Sequence, residues 1–379
     1  DRLTLSRELL SSAGSVFVQI SEENVHHVRE LMDEVFGAQN FVSLIAFAKT
    51  TGQSDKFLGR VHDYLVWFAK DKESMKFHMP WVPREPIDNP SERYVCVETP
   101  DGQIIDLSVA QKTGKAPIPE GRILKLENLT SQTGGESSRF PIEFQGQTFV
   151  PSAERGWSTN RDGIERLKKL GRLHIQGSMI WWKRYRDEFP FKPVTNSWDV
   201  MRGGFAEEKL YVVQTNVDVV KRCVLMTTDP GDLILDPTCG SGTSAFVAEQ
   251  WGRRWITIDT SRVALSLARQ RLLTAKFPFY DLANESLGVR GGFIYRRAER
   301  HTVGTLAQGE PPSVEVIYDQ PQEDKARMRV AGPFTVEAIP RFTLQDGNGG
   351  NAAAANADAS LKNIIDLLRK DGLTFKGGK

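Results

Sequence analysis

The chain has 379 residues, 40% hydrophobic and 26% charged, the balance of an ordinary water-soluble globular protein of about two domains. With 49 Lys and Arg against 48 Asp and Glu, bulk charge selects no partner, so only a local basic patch can point to nucleic acid. Three cysteines without tight spacing (Cys96, Cys223, Cys239) exclude a disulfide framework and a zinc pattern and indicate a reducing, cytoplasmic setting; no apolar run is long enough to span a bilayer.

"DRLTLSRELL" opens inside an amphipathic pattern without an initiator Met, and "KNIIDLLRKDGLTFKGGK" closes on another, so the sequence reads as an excerpt of a longer protein. "GSVFVQIS" is a β-rich run, and "EENVHHVRELMDEVFG" has helical apolar spacing that stops at Gly37. His26 and His27 sit on that helix as surface residues, without acidic partners at ligand spacing, so no metal site is expected. "FVSLIAFAKT" and "DYLVWFAKD" read as buried strands flanking a polar loop, Thr50–Arg60. From about His78 to Val200 prolines, Gly/Ser turns and short β-like runs dominate, which marks a separate β-rich module. The α/β alternation returns near Leu210. Past Tyr280, "GGFIYRRAERHTV" and "RVAGPFTVEAI" read as strands, and "DGNGGNAAAANADAS" as a linker before a short amphipathic helix.

The densest stretch is "LILDPTCGSGTSAFVAEQWGRRWITID". "LILD" suits a fully buried parallel strand. Pro237 ends it, and Gly240 and Gly242 let the backbone turn tightly against a ligand. A helix follows whose N-terminal amides face the turn, and Asp259 closes the next strand at the sheet edge where α/β proteins bind ligands. Three readings compete: an incidental βαβ unit, a dinucleotide site through Gly240-x-Gly242-x-x-Ala245, and an S-adenosylmethionine site. A P-loop is excluded because no Lys follows the second glycine. A carboxylate at Asp236 suits a cationic ligand and repels a pyrophosphate, which favours the third reading. Cys239 packs or meets the ligand through its backbone.

"DPTCGSGT" resembles the D-P-F-x-G-S-G-T cofactor motif of the amino-methylating DNA methyltransferases, specific for adenine N-6 or cytosine N-4. "KLYVVQTNVDVVKRCVLMTTDPGDLILD" is similar to the family segment that precedes the cofactor strand, with only Gln214 kept of its T-Q-K-P tetrapeptide. "ELLSSAGSVFVQISEENVHHVRELMDEVFG" resembles the helix, strand and helix after the catalytic loop. "YDQPQEDKARMRVAGPFTVEAI" is similar to a downstream segment of restriction–modification type members.

That order, called β, implies an α/β, Rossmann-like S-adenosylmethionine-dependent methyltransferase fold, circularly ordered and incomplete. Its expected parts are 1–77, the tail of the catalytic half; 78–205, a target recognition insert; 206–285, the cofactor half; 286–345, a C-terminal extension; and 346–379, a linker and short helix. The resemblance assigns the cofactor to Asp236, Pro237, Thr238, Gly240, Ser241, Gly242 and Asp259, with Thr243, Thr260, Ser261, Gln214 and Asn216 as secondary residues. No metal is required.

The family's catalytic tetrapeptide, (D/N/S)-P-P-(Y/F/W), orients the exocyclic amine and stacks on a flipped base. "GEPPSV" and "DNPSERY" do not match it. Family order puts it just before Asp1, so no catalytic residue is assigned, a central strand of the sheet is expected to be missing, and methylation by these residues alone is expected to fail.

"RDGIERLKKLGRLHIQGSMIWWKRYRDEF" carries eight Lys or Arg against two acids between Arg161 and Arg186. Lys168, Lys169, Arg172, Lys183, Arg184, Tyr185 and Arg186 are the candidate contacts to double-stranded DNA with a flipped base; Trp181 and Trp182 read better as core. A restriction subunit is a further partner the family implies. The rivals are a dinucleotide-dependent oxidoreductase and a DNA-binding specificity module with a decayed methyltransferase.

Overall fold

A computed structural model describes residues 2–49, 56–84, 94–132, 136–198 and 215–338. The chain forms two compact units: Asp1–Met79, Thr195–Ile294 and Glu323–Lys379 make one, and Pro80–Val194 and Tyr295–Gln322 the other.

The first unit begins with α1 (Arg2–Leu9), β1 (Ser15–Ser21), α2 (Val25–Phe36), β2 (Phe41–Ala48) and β3 (His62–Ala69). In α2 the apolar positions Val25, Val28, Met32, Val35 and Phe36 recur at helical spacing, and Met32 and Phe36 bury against Val66 and Phe68 of β3. Gly37, at φ 87°, ends the helix in a conformation that favours glycine. β3 lies between β1 and β2, antiparallel to both. With a ladder on each side its "LVWFA" run is buried throughout.

The insert carries β4 (Cys96–Glu98), β5 (Ile104–Asp106), β6 (Arg122–Asn128), α3 (Arg161–Lys169), β7 (Leu173–Gln176) and β8 (Met179–Tyr185). Its strands make a five-stranded antiparallel sheet in the order β7–β8–β6–β4–β5. Ile164 and Leu167 of α3 join Leu173, Ile180 and Trp182 in one buried cluster. The side chain of Asn160 caps α3 by accepting from Gly163 N at 2.9 Å.

The chain returns to the first unit through β9 (Ser197–Trp198), parallel to β2, and α4 (Val217–Thr227). Next come β10 (Leu233–Asp236), α5 (Thr243–Gln250), β11 (Arg254–Thr257), α6 (Arg262–Thr274) and β12 (Phe277–Tyr280). β10 and β11 pair in parallel. Among the described residues β10 has no second partner, and β1 pairs only with β3. "LILD" is therefore half-buried rather than fully buried, with Leu235 37% exposed, because one of its edges lacks a ladder.

Residues 76–78 tie the two parts of this unit together. Lys76 N donates to Ala13 O at 3.1 Å, just before β1, and His78 N donates to Met226 O at 2.8 Å. Lys76 Nζ lies 2.7 Å from Asp229 and 2.5 Å from Asp232, and His78 Nε2 lies 2.8 Å from Asp229.

The remainder of the chain divides differently from the expected single extension. β13 (Tyr295–Arg300), α7 (Val303–Gln308) and β14 (Ser313–Pro321) belong to the second unit, where Ala307 enters the cluster beneath α3. β15 (Glu323–Arg329) instead pairs with β12 of the first unit. The strand thus ends at Arg329, and residues 330–338 of "RVAGPFTVEAI" lie beyond it without a ladder. Pro333 there has no amide to donate, and Phe334 packs on Trp255 with ring centres 5.4 Å apart. Gln214, the polar loop around Thr50–Asp55 and the C-terminal amphipathic helix lie outside the described residues.

Candidate cofactor site

The turn after β10 is built from main-chain geometry. Gly240 has φ 52° and Gly242 φ 75°, both in the left-handed region. A Cβ on Gly242 would stand 2.7 Å from Ala268 Cβ of α6, so the position has neither the torsion nor the space for another residue. Gly242 N donates to Cys239 O at 2.9 Å, and Cys239 N to Ile258 O at 2.8 Å, which closes the turn onto the end of β11.

Two carboxylates flank it. Asp259 Oδ2 accepts from Gly240 N at 2.8 Å, and its Oδ1 accepts from Ser261 N at 2.8 Å. Each amide fixes one oxygen and leaves a lone-pair direction on it. Asp236 Oδ1 accepts from Thr238 N at 2.9 Å and Thr238 Oγ1 at 3.0 Å. No donor to its Oδ2 is found among the described residues. This is a pair of oriented acceptors, one with an oxygen still available, beside a turn in which Gly240 is half-buried and Cys239, Ser241 and Gly242 are buried. It fits a ligand that carries a cation and a diol. Pro237, Thr238 and Thr260 are exposed at the same rim.

Other expected residues have structural work. Ser241 and Thr243 are buried with Arg271 of α6, whose Nη1 lies 3.0 Å from Thr243 Oγ1 and 3.4 Å from Ser241 O and Oγ. Their hydroxyls face this guanidinium, so only their main chain remains for a ligand. Asn216 caps α4 by accepting from Asp218 N at 2.7 Å, and Ser261 caps α6 by accepting from Ala264 N at 3.3 Å. Burial pushes the Cys239 thiol above its ordinary value, which disfavours a nucleophilic thiolate.

Arg271 is the residue that sequence reading missed. It is 8% exposed, stacks 4.6 Å from the Phe246 ring centre, and holds the turn from behind. The available signal was its place three residues after Ala268, on the helix face that meets Gly242.

The basic segment divides by strand alternation. Lys183 and Tyr185 point inward: Lys183 Nζ lies 2.7 Å from Glu98 Oε1, and the Tyr185 hydroxyl donates to Glu98 Oε2. Burial opposes a charge on Glu98, yet these hydrogen bonds outweigh it and hold the carboxyl below its usual value. The expectation that Lys183 and Tyr185 touch DNA is corrected by this placement, since both are under 9% exposed. Arg172 Nη1 donates to Glu188 Oε2 at 3.0 Å, and Arg186 Nη2 to Arg84 O at 3.0 Å. Lys168 pairs with Glu165 at 2.6 Å, while Lys169 is exposed. Trp182 is core, and Trp181 is half-buried. Among the described residues no cluster of three His, Cys, Asp or Glu is placed to hold a metal, and no helix is long and apolar enough to cross a membrane.

The site is a parallel βαβ unit with a glycine turn between two carboxylates and no lysine for a phosphate, at the strand ends where open α/β sheets bind ligands. A family model described as DNA methylase matches residues 1–270, and the chain belongs to that family. It is 25% identical over 292 residues to the type II methyltransferase M.EcaI of Enterobacter cloacae, covering 76% of this chain and 59% of the relative. It is 36% identical over 274 residues to the type III restriction-modification enzyme EcoPI Mod subunit of Escherichia phage P1, covering 64% of this chain and 41% of that one. It thus spans well under two-thirds of the length of these relatives. Among solved structures, PvuII DNA methyltransferase (cytosine-N4-specific) superposes with a TM-score of 0.33 at 14% identity, covering 81% of this chain and 74% of that one. An M1.HpyAVI–SAM complex gives 0.33 at 10%, covering 71% and 80%. Superpositions at this level add nothing to the family assignment.

Proposed function

We propose that this chain is the cofactor-binding and DNA-recognising part of a site-specific DNA methyltransferase, which moves a methyl group from S-adenosylmethionine to the exocyclic amine of adenine or cytosine. The observation that carries the reading is the pair Asp236 and Asp259 around a glycine turn, in a chain of the DNA methylase family. S-adenosylmethionine, when bound, supplies a methyl group on a cationic sulfonium. Asp236 would accept from its ammonium and Asp259 from its ribose hydroxyls, while the Gly240–Gly242 backbone leaves room for the rest.

The family's catalytic tetrapeptide is not among the 379 residues, so these residues bind donor and DNA without efficient transfer. Double-stranded DNA with a flipped base is the substrate, because an amine inside a duplex is out of reach of the donor. The Mod subunit among the relatives supports a restriction subunit as protein partner, and the unpaired cysteines support the cytoplasm.

Calorimetric titration tests the reading. S-adenosylhomocysteine should bind, Asp259→Asn should weaken it about tenfold, roughly the worth of one charged hydrogen bond, and NADH should give no heat. Binding of NADH without S-adenosylhomocysteine overturns the assignment. Transfer of labelled methyl to DNA at an ordinary enzymatic rate overturns the claim that the catalytic residues lie elsewhere.

A further inference from the structure

The unit formed by Pro80–Val194 and Tyr295–Gln322 has a cavity of about 820 Å³, large enough for a nucleotide. Three cations line it, Lys125, Arg184 and Arg300, against a single acid, Glu127. Arg184 of β8 stands directly opposite Lys125 of β6 in the ladder, and Glu127 follows two residues along the same face. Like charges in opposed positions destabilise a sheet, so the arrangement costs stability that an anionic ligand would offset.

Lys125 Nζ pairs closely with Glu127 Oε1, so the one acid lining the cavity is already engaged, and the ion pairs left to the two arginines are loose. Arg184 Nη1 reaches Glu127 only at 3.4 and 3.5 Å, and Arg300 Nη1 reaches Glu315 at 3.5 Å. A formed charge-assisted bond is shorter, about 2.7 to 2.9 Å. Arg300 is held by its planar face instead, 5.4 and 5.8 Å from the ring centres of Trp81 and Phe189. Arg300 Nε is shut off from solvent without an acceptor among the described residues. The site therefore holds two arginines whose charge and donors the protein satisfies only loosely.

We propose that this cavity takes a backbone phosphodiester of DNA, bound by Arg184 and Arg300. The proposal rests on the DNA reading above and locates the electrostatic contact in the β6–β8 face, where the sequence pattern had pointed to the "KRYR" run as a whole.

The test is duplex binding by the 379-residue chain across a salt series. Arg184→Gln and Arg300→Gln should each lower affinity about fivefold to tenfold near 0.1 M salt, and should each reduce the slope of log affinity against log salt by about one. Arg184→Lys and Arg300→Lys keep the charge and should keep the slope, which separates lost phosphate contact from lost packing. Inorganic phosphate is titrated in parallel, and the variants should leave its weak binding unchanged. Unchanged duplex slopes in Gln variants that retain the parent melting temperature overturn the cavity alone. Loss of slope in the Lys variants, or tight binding of inorganic phosphate by the same residues, reassigns the cavity and also overturns it. Failure of the parent chain to bind any duplex overturns both this proposal and the DNA reading beneath it.

Discussion

The turn after Asp236 and the strand through Lys183 are both dense in polar residues, yet they are organised on opposite principles. In the turn, main-chain amides of Gly240 and Ser261 orient the Asp259 carboxylate, and the residues that do this lie within about two dozen positions of one another. In the strand, alternate side chains are sent to opposite faces. Lys183 and Tyr185 meet Glu98, more than 80 residues away, while Arg184 joins a cavity. A motif held by backbone keeps its chemistry wherever it is found, whereas a cluster of side chains is reassigned by whatever packs against each face.

Three substitutions can break this comparison, and the largest effect belongs to the strand. Lys183→Met leaves Glu98 buried beside Tyr185 without its cation, and should destabilise the Pro80–Val194 unit by about 3 kcal/mol, as expected for half of a buried pair. Chemical denaturation measures it. Lower duplex affinity in Lys183→Met without lower stability would restore Lys183 as a DNA contact.

Arg271→Met is next and acts on the turn. It removes a buried donor from Thr243 and Ser241 and should cost about 2 kcal/mol, together with a loss of S-adenosylhomocysteine affinity on the order of tenfold. Calorimetry and denaturation read the two quantities separately. Loss of stability with unchanged affinity would reduce Arg271 to packing and leave the glycines alone in charge of the turn.

The smallest effect lies at the joint between 76–78 and the turn before β10. The hydrogen bond from His78, helped by Lys76, holds the Asp229 carboxyl well below its ordinary value against the opposing effect of burial. A depressed carboxylate contributes stability above its unfolded pKa of about 4 and loses it as pH falls through the folded value. Asp229→Asn should therefore cost about 1 kcal/mol at neutral pH, discounted because the group is 46% exposed, and the gap from the parent should begin to narrow below about pH 4 and close only as pH falls through the much lower folded value. Melting temperatures of both proteins between pH 7 and pH 3 check it. A gap of the same size at pH 3 as at pH 7 would show that the contact is not ionic.

Legibility in the sequence followed the same division. α2 and β3 could be read from "VHHVRELMDEVF" and "YLVWFA" because their apolar residues are largely the ones that bury, whereas β1, "VFVQIS", is half-buried along its whole length and was legible by its β-branched composition alone. The glycine turn could be read because only glycine accepts the torsion and the approach to Ala268 at Gly242. "LILD" gave no sign that it would be half-buried, since a strand's composition does not reveal how many ladders it joins. Asn216 and Ser261 had the right type for ligand contacts and became helix caps, because a nearby unpaired amide captures a short polar side chain first.

The sequence by itself determined the glycine turn, the order of the α/β segments and the existence of a β-rich insert, because these depend on contacts close in the chain. Only the tertiary structure decided that Arg271 would grip the turn from behind, that Glu98 would claim Lys183 and Tyr185, and that Tyr295–Gln322 would rejoin the insert. Each of those outcomes depends on which distant side chain reaches a buried charge or an open face first, and local pattern carries no record of that.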